Sequence, residues 1–471
     1  MSEIQYDFGM VGLGTMGRAL LLNMADHGFA VAGLDTDTGK VDALHSEGAG
    51  KPVKGFGDAA EFVNSIRKPR AIMMLVPAGA PVDSVIATLV PHLEKGDFLI
   101  DGGNSYFKDT DRRAKELTAE GFGFIGMGVS GGESGARRGP SMMPGGTAEN
   151  YERIRPIVEA VAAKFDGEPC VALMGSGSAG HYVKTVHNGI EYAVMQLISE
   201  IYDVFKRALG MSNAEIADIF SEWNDAELQS FLVQISTVVL RYKDEKTGDD
   251  LVDLISDKAK QKGTGKWTSQ DAMDLGSPIP TIDVAVAARE MSGLKPERIE
   301  AAKVLKPSFT KYPTSKQEAI ADFRSALYAA MLISYAQGLA LLKEASKEYG
   351  YGTNLETVAK VWRAGCIIRS KSLETISAAY AANPELANLL VDPAIATIVL
   401  QHEGALRRAV LGAIQASIPV PSLSASIAYL DGYRSERLPA NLIQGQRDLF
   451  GAHTYERLDV EGSFHTHWEN E

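Results

Sequence analysis

Five polar side chains lie close together in one short segment, at a spacing that places them on one face of an α-helix. They are Lys184, His187, Asn188, Glu191 and Tyr192: an amine, an imidazole, an amide, a carboxyl and a phenol. Counted from Lys184, the others follow after three, four, seven and eight residues, which is the repeat of a single helical stripe. A base and an acid held this close are what proton transfer on a small polar substrate requires. The alternative is an ordinary solvated helix face.

A glycine-rich turn near the N-terminus predicts a dinucleotide-binding site. Gly12, Gly14 and Gly17 form a GxGxxG turn between an apolar strand and a helix, and Asp35 ends the following strand, 18 residues after Gly17. The first glycine permits the tight turn, the second lets the backbone approach a pyrophosphate, and the third lets helix and strand pack closely. The helix N-terminus then faces the phosphate charge. The alternative is a purely structural turn.

The order of apolar segments indicates the elements that must position these residues. Apolar strands at 71–76 and 98–100 continue the alternation with helices and predict a parallel doubly wound sheet. Long helices are expected afterwards, at 179–208, 213–221, 225–241, 249–260 and from 315 onward. The fold class is therefore an α/β Rossmann-type domain followed by a large all-α domain and a C-terminal tail. The expected bounds are 1–178 for the dinucleotide-binding domain, 179–438 for a substrate and dimerisation domain, and 439–471 for the tail, with a helix break at Pro439.

The helical part contains a possible internal repeat. Three apolar positions after the first long helix recur 139 residues later: Ile216, Ile219 and Trp223 correspond to Leu355, Val358 and Trp362. The second long helix lacks the polar stripe. If the repeat is real, the second copy serves as scaffold and the first carries the chemistry.

Composition excludes several classes of function. The chain has 471 residues and a net charge of −13, which argues against a nucleic acid or an anionic membrane surface as main partner. No uninterrupted run of 18 apolar residues predicts a membrane span, and the acidic N-terminus is not expected to be a signal peptide. The two cysteines, Cys170 and Cys366, are expected to be buried free thiols in a reducing cytoplasm.

Three further segments carry groups suited to a ligand crevice. Residues 101–105, Asp-Gly-Gly-Asn-Ser, follow a buried strand and should face the crevice of the sheet. Residues 129–132, Val-Ser-Gly-Gly, expose backbone N–H groups that can hold a carboxylate. Residues 262–267, Lys-Gly-Thr-Gly-Lys-Trp, with Arg289 downstream, are compatible with a phosphate-binding loop. A simple turn and a flexible basic loop are the alternatives for the first and the last.

These motifs together resemble the decarboxylating 6-phosphogluconate dehydrogenases of the pentose phosphate pathway. The similar segments span the chain: GLGTMG, LIDGGNS, GVSGGE, ARRGPSMMPGG, KTVHNGIEY, KGTGKW and QGQRDLFGAHTYE. The last four are far more specific than the glycine turn. The resemblance implies oxidative decarboxylation of 6-phospho-D-gluconate to D-ribulose 5-phosphate and CO2, with reduction of NAD(P). It also implies a homodimer in which the tail of each chain enters the active site of its partner.

The resemblance assigns a role to individual residues. Lys184 matches the general base and Glu191 the general acid. The positions that match substrate-binding residues are Asn104, Ser130, Gly131, Gly132, His187, Asn188, Tyr192, Lys262, Thr264, Arg289 and, from the tail, Arg447 and His453. The positions expected to hold the dinucleotide are Gly12, Gly14, Thr15, Met16, Gly17, Asp35, Thr36, Val76 and Asn104. No metal is expected, since no acidic cluster stands at the matched positions.

The implied chemistry requires Lys184 to be neutral when it takes a hydroxyl proton, although a free lysine has a pKa near ~10.4. Partial burial and nearby cations are expected to lower that pKa. Once protonated, Lys184 can polarise the new carbonyl for loss of CO2, and Glu191 can then protonate C1 of the enediol. The two residues lie two helical turns apart, about 10 Å along the axis, which fits the two ends of one bound sugar acid.

The end of the second strand favours NAD over NADP. NADP-dependent members of the family resemble Asn-Arg-Thr at this point, whereas this chain has Asp35, Thr36 and Asp37. Thr36 lacks the arginine charge that pairs with a 2′-phosphate, and the two carboxylates are expected to repel that phosphate. Pro77 also replaces a lysine that many NADP-dependent members carry.

The alternative enzyme is a 3-hydroxyacid dehydrogenase of the hydroxyisobutyrate type. It would share the glycine turn, the Ser-Gly-Gly loop and the catalytic lysine. It would not need the expected phosphate-binding and tail residues, nor a chain of 471 residues. A non-catalytic dinucleotide-binding protein is a further alternative. In such a protein we would expect the polar residues of the stripe to have been replaced, whereas all five are present here.

Overall fold

The first part of the chain forms a seven-stranded sheet, in a computed structural model that describes residues 5–306 and 308–468. The strands are β1 Phe8–Val11, β2 Val31–Leu34, β3 Val53–Phe56, β4 Ala71–Met74, β5 Phe98–Asp101, β6 Gly123–Ser130 and β7 Ser141–Gly146. Their order is β3-β2-β1-β4-β5-β6-β7. All neighbouring pairs are parallel except β6 and β7, which pair antiparallel with Ser130 opposite Ser141. The order reverses direction between β1 and β4, where a doubly wound sheet opens its ligand crevice.

Helices cover both faces of this sheet, because its strands are apolar on both sides. Met10 and Met73 face one core, whereas Val11 and Ile72 face the other. The helices are α1 Thr15–Asp26, α2 Thr38–Glu47, α3 Ala59–Ser65, α4 Ala80–Leu89, α5 Phe107–Glu120, α6 Gly132–Arg138 and α7 Ala148–Val161. A 3₁₀ turn at Val90–His92 and a small hairpin, β8 Lys164–Phe165 and β9 Glu168–Pro169, complete this part.

A helical region follows and confirms the expected fold class. Its helices are α8 Ala179–Asp203, α9 Asn213–Asn224, α10 Phe231–Arg241, α11 Leu251–Leu254, α12 Thr264–Asp274, α13 Pro280–Gly293, α14 Lys295–Leu305, α15 Lys316–Glu348, α16 Leu355–Val361, α17 Ser372–Ala382, α18 Pro393–Gln415 and α19 Pro421–Tyr433. A π-helical turn, Val204–Ala208, continues α8, and a 3₁₀ turn spans Leu389–Val391.

Two long helices form the centre of this region. α8 packs against α15, and α15 packs against α18. α15 has 33 residues and is long and apolar enough to cross a membrane, but 83% of its most apolar window is buried inside the protein. It is therefore built as a core helix, with an intact capping box between Ser315 and Glu318 at its start.

The helix expected at 249–260 is wrong for most of its length. α11 ends at Leu254, and Ile255 has extended backbone. The following Asp257 forms ion pairs with Lys295 and Arg298 of α14. This long-range pairing competes with the helix and is not visible in the local sequence pattern.

The chain forms two compact units, with the boundary between Ser426 and Ile427. The second unit contains α20, Ala440–Gly451, and an antiparallel pair, β10 Tyr455–Glu456 and β11 Ser463–Phe464. The helix break expected at Pro439 is confirmed: α19 ends at Tyr433, and Pro439 is the N-cap of α20. Proline is tolerated at a helix start, where the backbone N–H that it lacks has no partner in the helix.

Candidate active site

The polar stripe of α8 is buried, not solvated. Lys184 is 5% exposed, His187 0% and Asn188 8%. The helix packs against β6 and β7 of the sheet and against α12, α13 and α15 of the helical region. A solvated helix face is therefore wrong for these three residues. Buried polar groups need partners, and the partners define the site.

A chain of polar contacts joins three elements at this stripe. Ser130 ends β6, and its Oγ lies 3.4 Å from His187 Nε2. His187 Nδ1 lies 3.2 Å from Lys184 Nζ and 3.0 Å from Asn188 Oδ1. Asn188 Nδ2 donates to Thr264 Oγ1 of α12 at 3.1 Å. The sheet, α8 and α12 thus meet at one network that includes four of the predicted substrate residues and the predicted base.

Burial tunes the base and the acid in opposite directions. Removal from water lowers the pKa of the Lys184 amine, although the negative charge of Glu191 acts to raise it. Removal from water raises the pKa of the Glu191 carboxyl, although Lys184 and Arg289 act to lower it. His187 has a pKa well below its ordinary value, first because of burial and second because of the Lys184 charge. The arrangement favours a neutral amine beside a neutral imidazole, with a protonated carboxyl one turn further along.

The Ser-Gly-Gly loop lies beside this network. Ser130 is 3% exposed, whereas Gly132 is exposed. Gly131 is the N-cap of α6 and has a φ of 113°, a left-handed conformation that glycine adopts without strain. The loop therefore places the Ser130 hydroxyl beside His187, and the first backbone N–H groups of α6 follow directly after it in the chain.

The expected phosphate-binding loop is partly a helix. Thr264 is the first residue of α12 and is buried, and the exposed Lys262 precedes the N-cap, Gly263. Lys262 and Thr264 therefore lie at a helix N-terminus, which favours a negatively charged ligand. The Arg289 guanidinium of α13 stacks on the Tyr192 ring of α8, 3.3 Å from its centre.

The glycine turn forms an open cradle that fits a dinucleotide. A Cβ at Gly17 would lie 1.9 Å from the Gly12 carbonyl oxygen, so only glycine permits this packing of turn and helix. A Cβ at Gly14 would meet nothing within 4 Å, and α1 begins at the next residue, Thr15, with Met16 behind it. Open space before a helix N-terminus suits a pyrophosphate.

Two other predicted cofactor positions lie at the ends of neighbouring strands. Val76 follows β4 and is half-buried, and Asn104 follows β5 and is exposed. Both belong to the carboxyl edge of the sheet, between the glycine turn on β1 and Ser130 on β6.

The carboxylates at the end of β2 are already paired. Asp35 accepts hydrogen bonds from the backbone N–H of Leu13 at 2.8 Å and of Asp37 at 2.9 Å. The Lys40 amine lies 3.4 Å from Asp35 and 3.9 Å from Asp37. Burial acts to raise the pKa of Asp35, but these hydrogen bonds and Lys40 together leave it lowered. Thr36 is exposed.

The two predicted tail residues belong to the second compact unit. Arg447 lies on α20 and donates to Gln444 Oε1 at 3.0 Å. His453 follows the helix, with its ring 5.8 Å from that of Phe450. Both are exposed.

Several residues at the site were not found from the sequence. His181 is buried one turn before Lys184, and its Nδ1 lies 2.7 Å from Thr110 Oγ1 of α5. It extends the stripe by the same helical spacing, so the pattern could have included it. The Trp362 ring meets the His187 ring edge to face at 5.7 Å, and this contact joins residues 175 positions apart, which local spacing does not reveal. Across residues 5–306 and 308–468, no cluster of three or more histidine, cysteine or acidic side chains is arranged to hold a metal ion.

Comparison with known families matches both halves of the chain. Residues 7–177 match the NAD binding domain of 6-phosphogluconate dehydrogenase, and residues 180–468 match the 6-phosphogluconate dehydrogenase C-terminal domain. A relative from Bacillus subtilis, a 6-phosphogluconate dehydrogenase named NADP(+)-dependent and decarboxylating, is 51% identical over 461 residues, which are 98% of this chain and 98% of the relative.

The fold agrees with solved structures. The 6-phosphogluconate dehydrogenase of Plasmodium falciparum, described in its apo form and in complexes with its cofactor NADP+ and its substrate 6-phosphogluconate, superposes with a TM-score of 0.95. It is 40% identical, and the match covers 98% of this chain and 100% of that chain. A 3-hydroxyisobutyrate dehydrogenase from Salmonella typhimurium is distant, at 20% identity over 62% of this chain and a TM-score of 0.48.

The expected preference for NAD over NADP is wrong. The Bacillus subtilis relative is named NADP(+)-dependent, and the Plasmodium falciparum enzyme binds NADP+ as its cofactor. The physical error lies in treating Asp35 and Asp37 as free charges. Asp35 is bonded to the backbone, Asp37 caps α2 through Gly39 N–H, and Lys40 supplies a cation next to both. These partners weaken the repulsion between the two carboxylates and a phosphate.

Proposed function

Because this chain belongs to the decarboxylating 6-phosphogluconate dehydrogenase family, we propose that its buried α8 stripe carries out the acid–base steps of that reaction. The enzyme oxidises 6-phospho-D-gluconate to D-ribulose 5-phosphate and CO2. The observation that carries the proposed roles is the opposite tuning of Lys184 and Glu191 on one helix. The dinucleotide supplies hydride acceptance when bound, in the cradle formed by Gly12, Gly14 and Gly17.

Lys184 acts first as a base and then as an acid. The neutral amine takes the proton of the C3 hydroxyl as hydride leaves C3, which produces a β-keto acid. The resulting ammonium donates a hydrogen bond to the new carbonyl oxygen, so that the electron pair released with CO2 is stabilised as an enediolate. His187, neutral and 3.2 Å from Lys184 Nζ, holds the amine in place without adding a competing positive charge.

Glu191 completes the reaction by protonating the carbon from which CO2 has departed. Burial raises the pKa of the carboxyl and so favours its protonated form, which donates the proton to C1 of the enediol. Ser130, Gly131, Gly132 and Asn188 bind the carboxylate and the hydroxyls of the substrate. At the far end, Lys262, Thr264 and Arg289 bind the phosphate and Tyr192 supports Arg289 by stacking.

We further propose NADP as the electron acceptor, supported by the NADP-dependent Bacillus subtilis relative and by the cation at the end of β2, Lys40. Both cysteines are buried free thiols, which supports a reducing compartment, the cytoplasm.

We also propose a homodimer in which each tail contributes Arg447 and His453 to the active site of the partner. Four exposed apolar side chains of α20 support this, because an exposed apolar patch marks a surface that binds a partner. The exposed fractions are 66% for Leu442, 60% for Ile443, 55% for Leu449 and 71% for Phe450. Hydrogen bonds within the tail converge on Asp448, which is consistent with a segment that is already folded when it docks on a partner.

The acid–base assignment is tested by separating hydride transfer from the later proton transfer. In Glu191→Ala we expect exchange of the C1 hydrogen of ribulose 5-phosphate with solvent to fall about 10²- to 10⁴-fold, with a smaller loss in NADP reduction. In Lys184→Ala both should fall. Isotope exchange at C1 and dinucleotide reduction, measured on the same preparations with NADP and with NAD, provide the comparison. Equal losses of both activities in Glu191→Ala would overturn the division of roles.

A further inference from the structure

Two loops lie at the carboxyl edge of the sheet, after the two strands between the glycine turn and Ser130. One follows β4, at 75–79, and the other follows β5, at 102–105. In the strand order, β4 and β5 lie between β1, which carries the glycine turn, and β6, which ends at Ser130. Asp35 marks the adenosine end at β2, on the other side of the glycine turn, so the nicotinamide end of the dinucleotide must lie over β4 and β5.

A single buried side chain of α5 holds both loops. The Arg113 guanidinium is 1% exposed. Its Nη2 donates to the Gly79 carbonyl oxygen at 3.0 Å, in the loop after β4. Its Nη1 lies 3.4 Å from Asp101 Oδ2, at the end of β5. Its Nε and Nη2 donate to the two oxygens of Asp83 in α4, at 2.8 Å and 3.0 Å.

Asp101 transmits this restraint to the loop after β5. The carboxylate is fully buried, and its Oδ1 accepts from the backbone N–H of Gly103 at 3.0 Å. Its Oδ2 accepts from the Ser105 hydroxyl at 2.6 Å. These two residues flank Asn104, which is exposed at the crevice. Asn104 is therefore held by a carboxylate that is itself held by Arg113.

The geometry depends on the shape of the guanidinium and not on its charge alone. The planar fork of arginine reaches a carbonyl and two carboxylates at once, which the single ammonium of lysine cannot reproduce. Removing the contact with Asp101 leaves a buried carboxylate without its cation, which shifts the loop or draws in water. At Asp83, the hydrogen bonds from Arg113 and, to a smaller extent, from Arg112 outweigh burial and lower the pKa of the carboxyl to about 2.

We propose that Arg113 is a positioning residue for hydride transfer. It fixes the separation of the loops after β4 and β5, and hence the depth at which the nicotinamide ring meets C3 of the substrate above Lys184. It acts through Gly79 and Asp101 and not by contact with the substrate. The inference rests on the proposed function, because it concerns the hydride step of that reaction.

The chain provides a matched control at the next position. Arg112 donates to the same Asp83 at 2.9 Å and to Glu116 at 3.0 Å, but its side chain is exposed. Arg113→Lys and Arg112→Lys therefore change the same residue type, in the same helix, beside the same carboxylate. Only the former alters the hydrogen bonds to Gly79 and Asp101.

In Arg113→Lys we expect kcat to fall about 10- to 100-fold, as for a small misplacement of reacting groups. KM for the dinucleotide should rise several-fold, whereas KM for 6-phosphogluconate should change less than twofold. The primary isotope effect on kcat, measured with substrate deuterated at C3, should increase because hydride transfer becomes slower relative to the other steps. Arg112→Lys should stay within twofold of the wild type in all of these quantities.

A general loss of structure would reduce the amount of active enzyme without changing the isotope effect, so an unchanged isotope effect in Arg113→Lys would overturn the proposal. Equal effects in Arg112→Lys and Arg113→Lys would overturn it as well. If Arg113→Lys does not fold, Ser105→Ala tests the same restraint from the loop, and it should raise the isotope effect in the same direction. If the wild type itself does not reduce the dinucleotide with 6-phosphogluconate, the proposed function is wrong, and the inference about Arg113 is wrong with it.

Discussion

Lys184 and Glu191 owe their proposed roles to burial on a helix and not to unusual residue types. Burial lowers the pKa of an amine and raises the pKa of a carboxyl, because both lose the hydration of their charged forms. The two pKa values therefore move towards each other. A neutral base and a protonated acid then coexist over a wider pH range than they would in water.

This has a consequence for the pH profile of kcat/KM. Activity should be lost at low pH as Lys184 becomes protonated, at a pKa below its ordinary value of 10.5. It should also be lost at high pH as Glu191 ionises, at a pKa above its ordinary value of 4.5. In Glu191→Gln the high-pH limb should disappear while the low-pH limb remains, and the maximal rate should fall about 10²-fold or more. A profile of kcat/KM against pH checks this, and a high-pH limb that persists in Glu191→Gln would contradict the assignment.

The helices α8 and α12 approach each other closely, and this approach shapes the end of the site that we propose binds the phosphate. A Cβ at Gly265 would lie 2.4 Å from Cε2 of the Tyr192 ring. Tyr192 supports Arg289 by stacking, so the glycine of α12 indirectly sets the position of a guanidinium on α13.

Gly265→Ala should therefore push Tyr192 out of place, at a cost of about 1–3 kcal/mol in the free energy of unfolding. We expect KM for 6-phosphogluconate to rise about 3- to 10-fold, with a smaller change in KM for the dinucleotide. Gly293→Ala is the matched control: Gly293 ends α13, and a Cβ there meets nothing within 4 Å. Steady-state kinetics and thermal unfolding of the two variants should differ, and equal behaviour would argue against the packing argument.

Local sequence patterns predicted the elements that carry the site. Contacts between residues that are distant in the sequence are visible only in the structure. The stripe from Lys184 to Tyr192 and the glycine turn each lie within one or two adjacent elements, so periodicity and spacing identify them. The glycines that flank Thr264 suit a loop as well as a helix start, so the local pattern does not reveal that α12 begins at Thr264. The pairing of Asp35 with Leu13 and Lys40 depends on how strand, turn and helix fold together, so residue types alone give the wrong cofactor preference.

In the complete molecule, the proposed exchange of tails predicts that each active site needs two chains. The second unit begins at Ile427 and carries both candidate tail residues, Arg447 and His453. Its internal order depends on Asp448, a buried carboxylate that accepts from Thr454 N–H, Thr466 N–H and the Trp468 indole, all at 2.8–3.0 Å.

Exchange is testable by mixing two inactive variants. A dimer of one Lys184→Ala chain and one Arg447→Ala chain would contain one site with both changes and one site with neither. Random assembly should restore about a quarter of the wild-type activity, since half of the dimers are mixed and each has one intact site. Coexpression followed by an activity assay measures this. The control pairs Lys184→Ala with Glu191→Ala, which lie on the same helix, and it should restore nothing. Failure of the first pair to recover activity would count against exchange.

The residues that contact one another around His187 lie far apart in the sequence, so the ribosome makes them at different times. Ser130 is made early, Lys184 and Thr264 follow, and Trp362 comes more than 200 residues after Ser130. The sheet can form on the nascent chain. The polar stripe of α8, however, lacks most of the residues that bury it until α12, α15 and Trp362 have been synthesised. During synthesis α8 is thus an incompletely packed segment with an uncovered apolar face, and such a face is prone to aggregation until its partners are made.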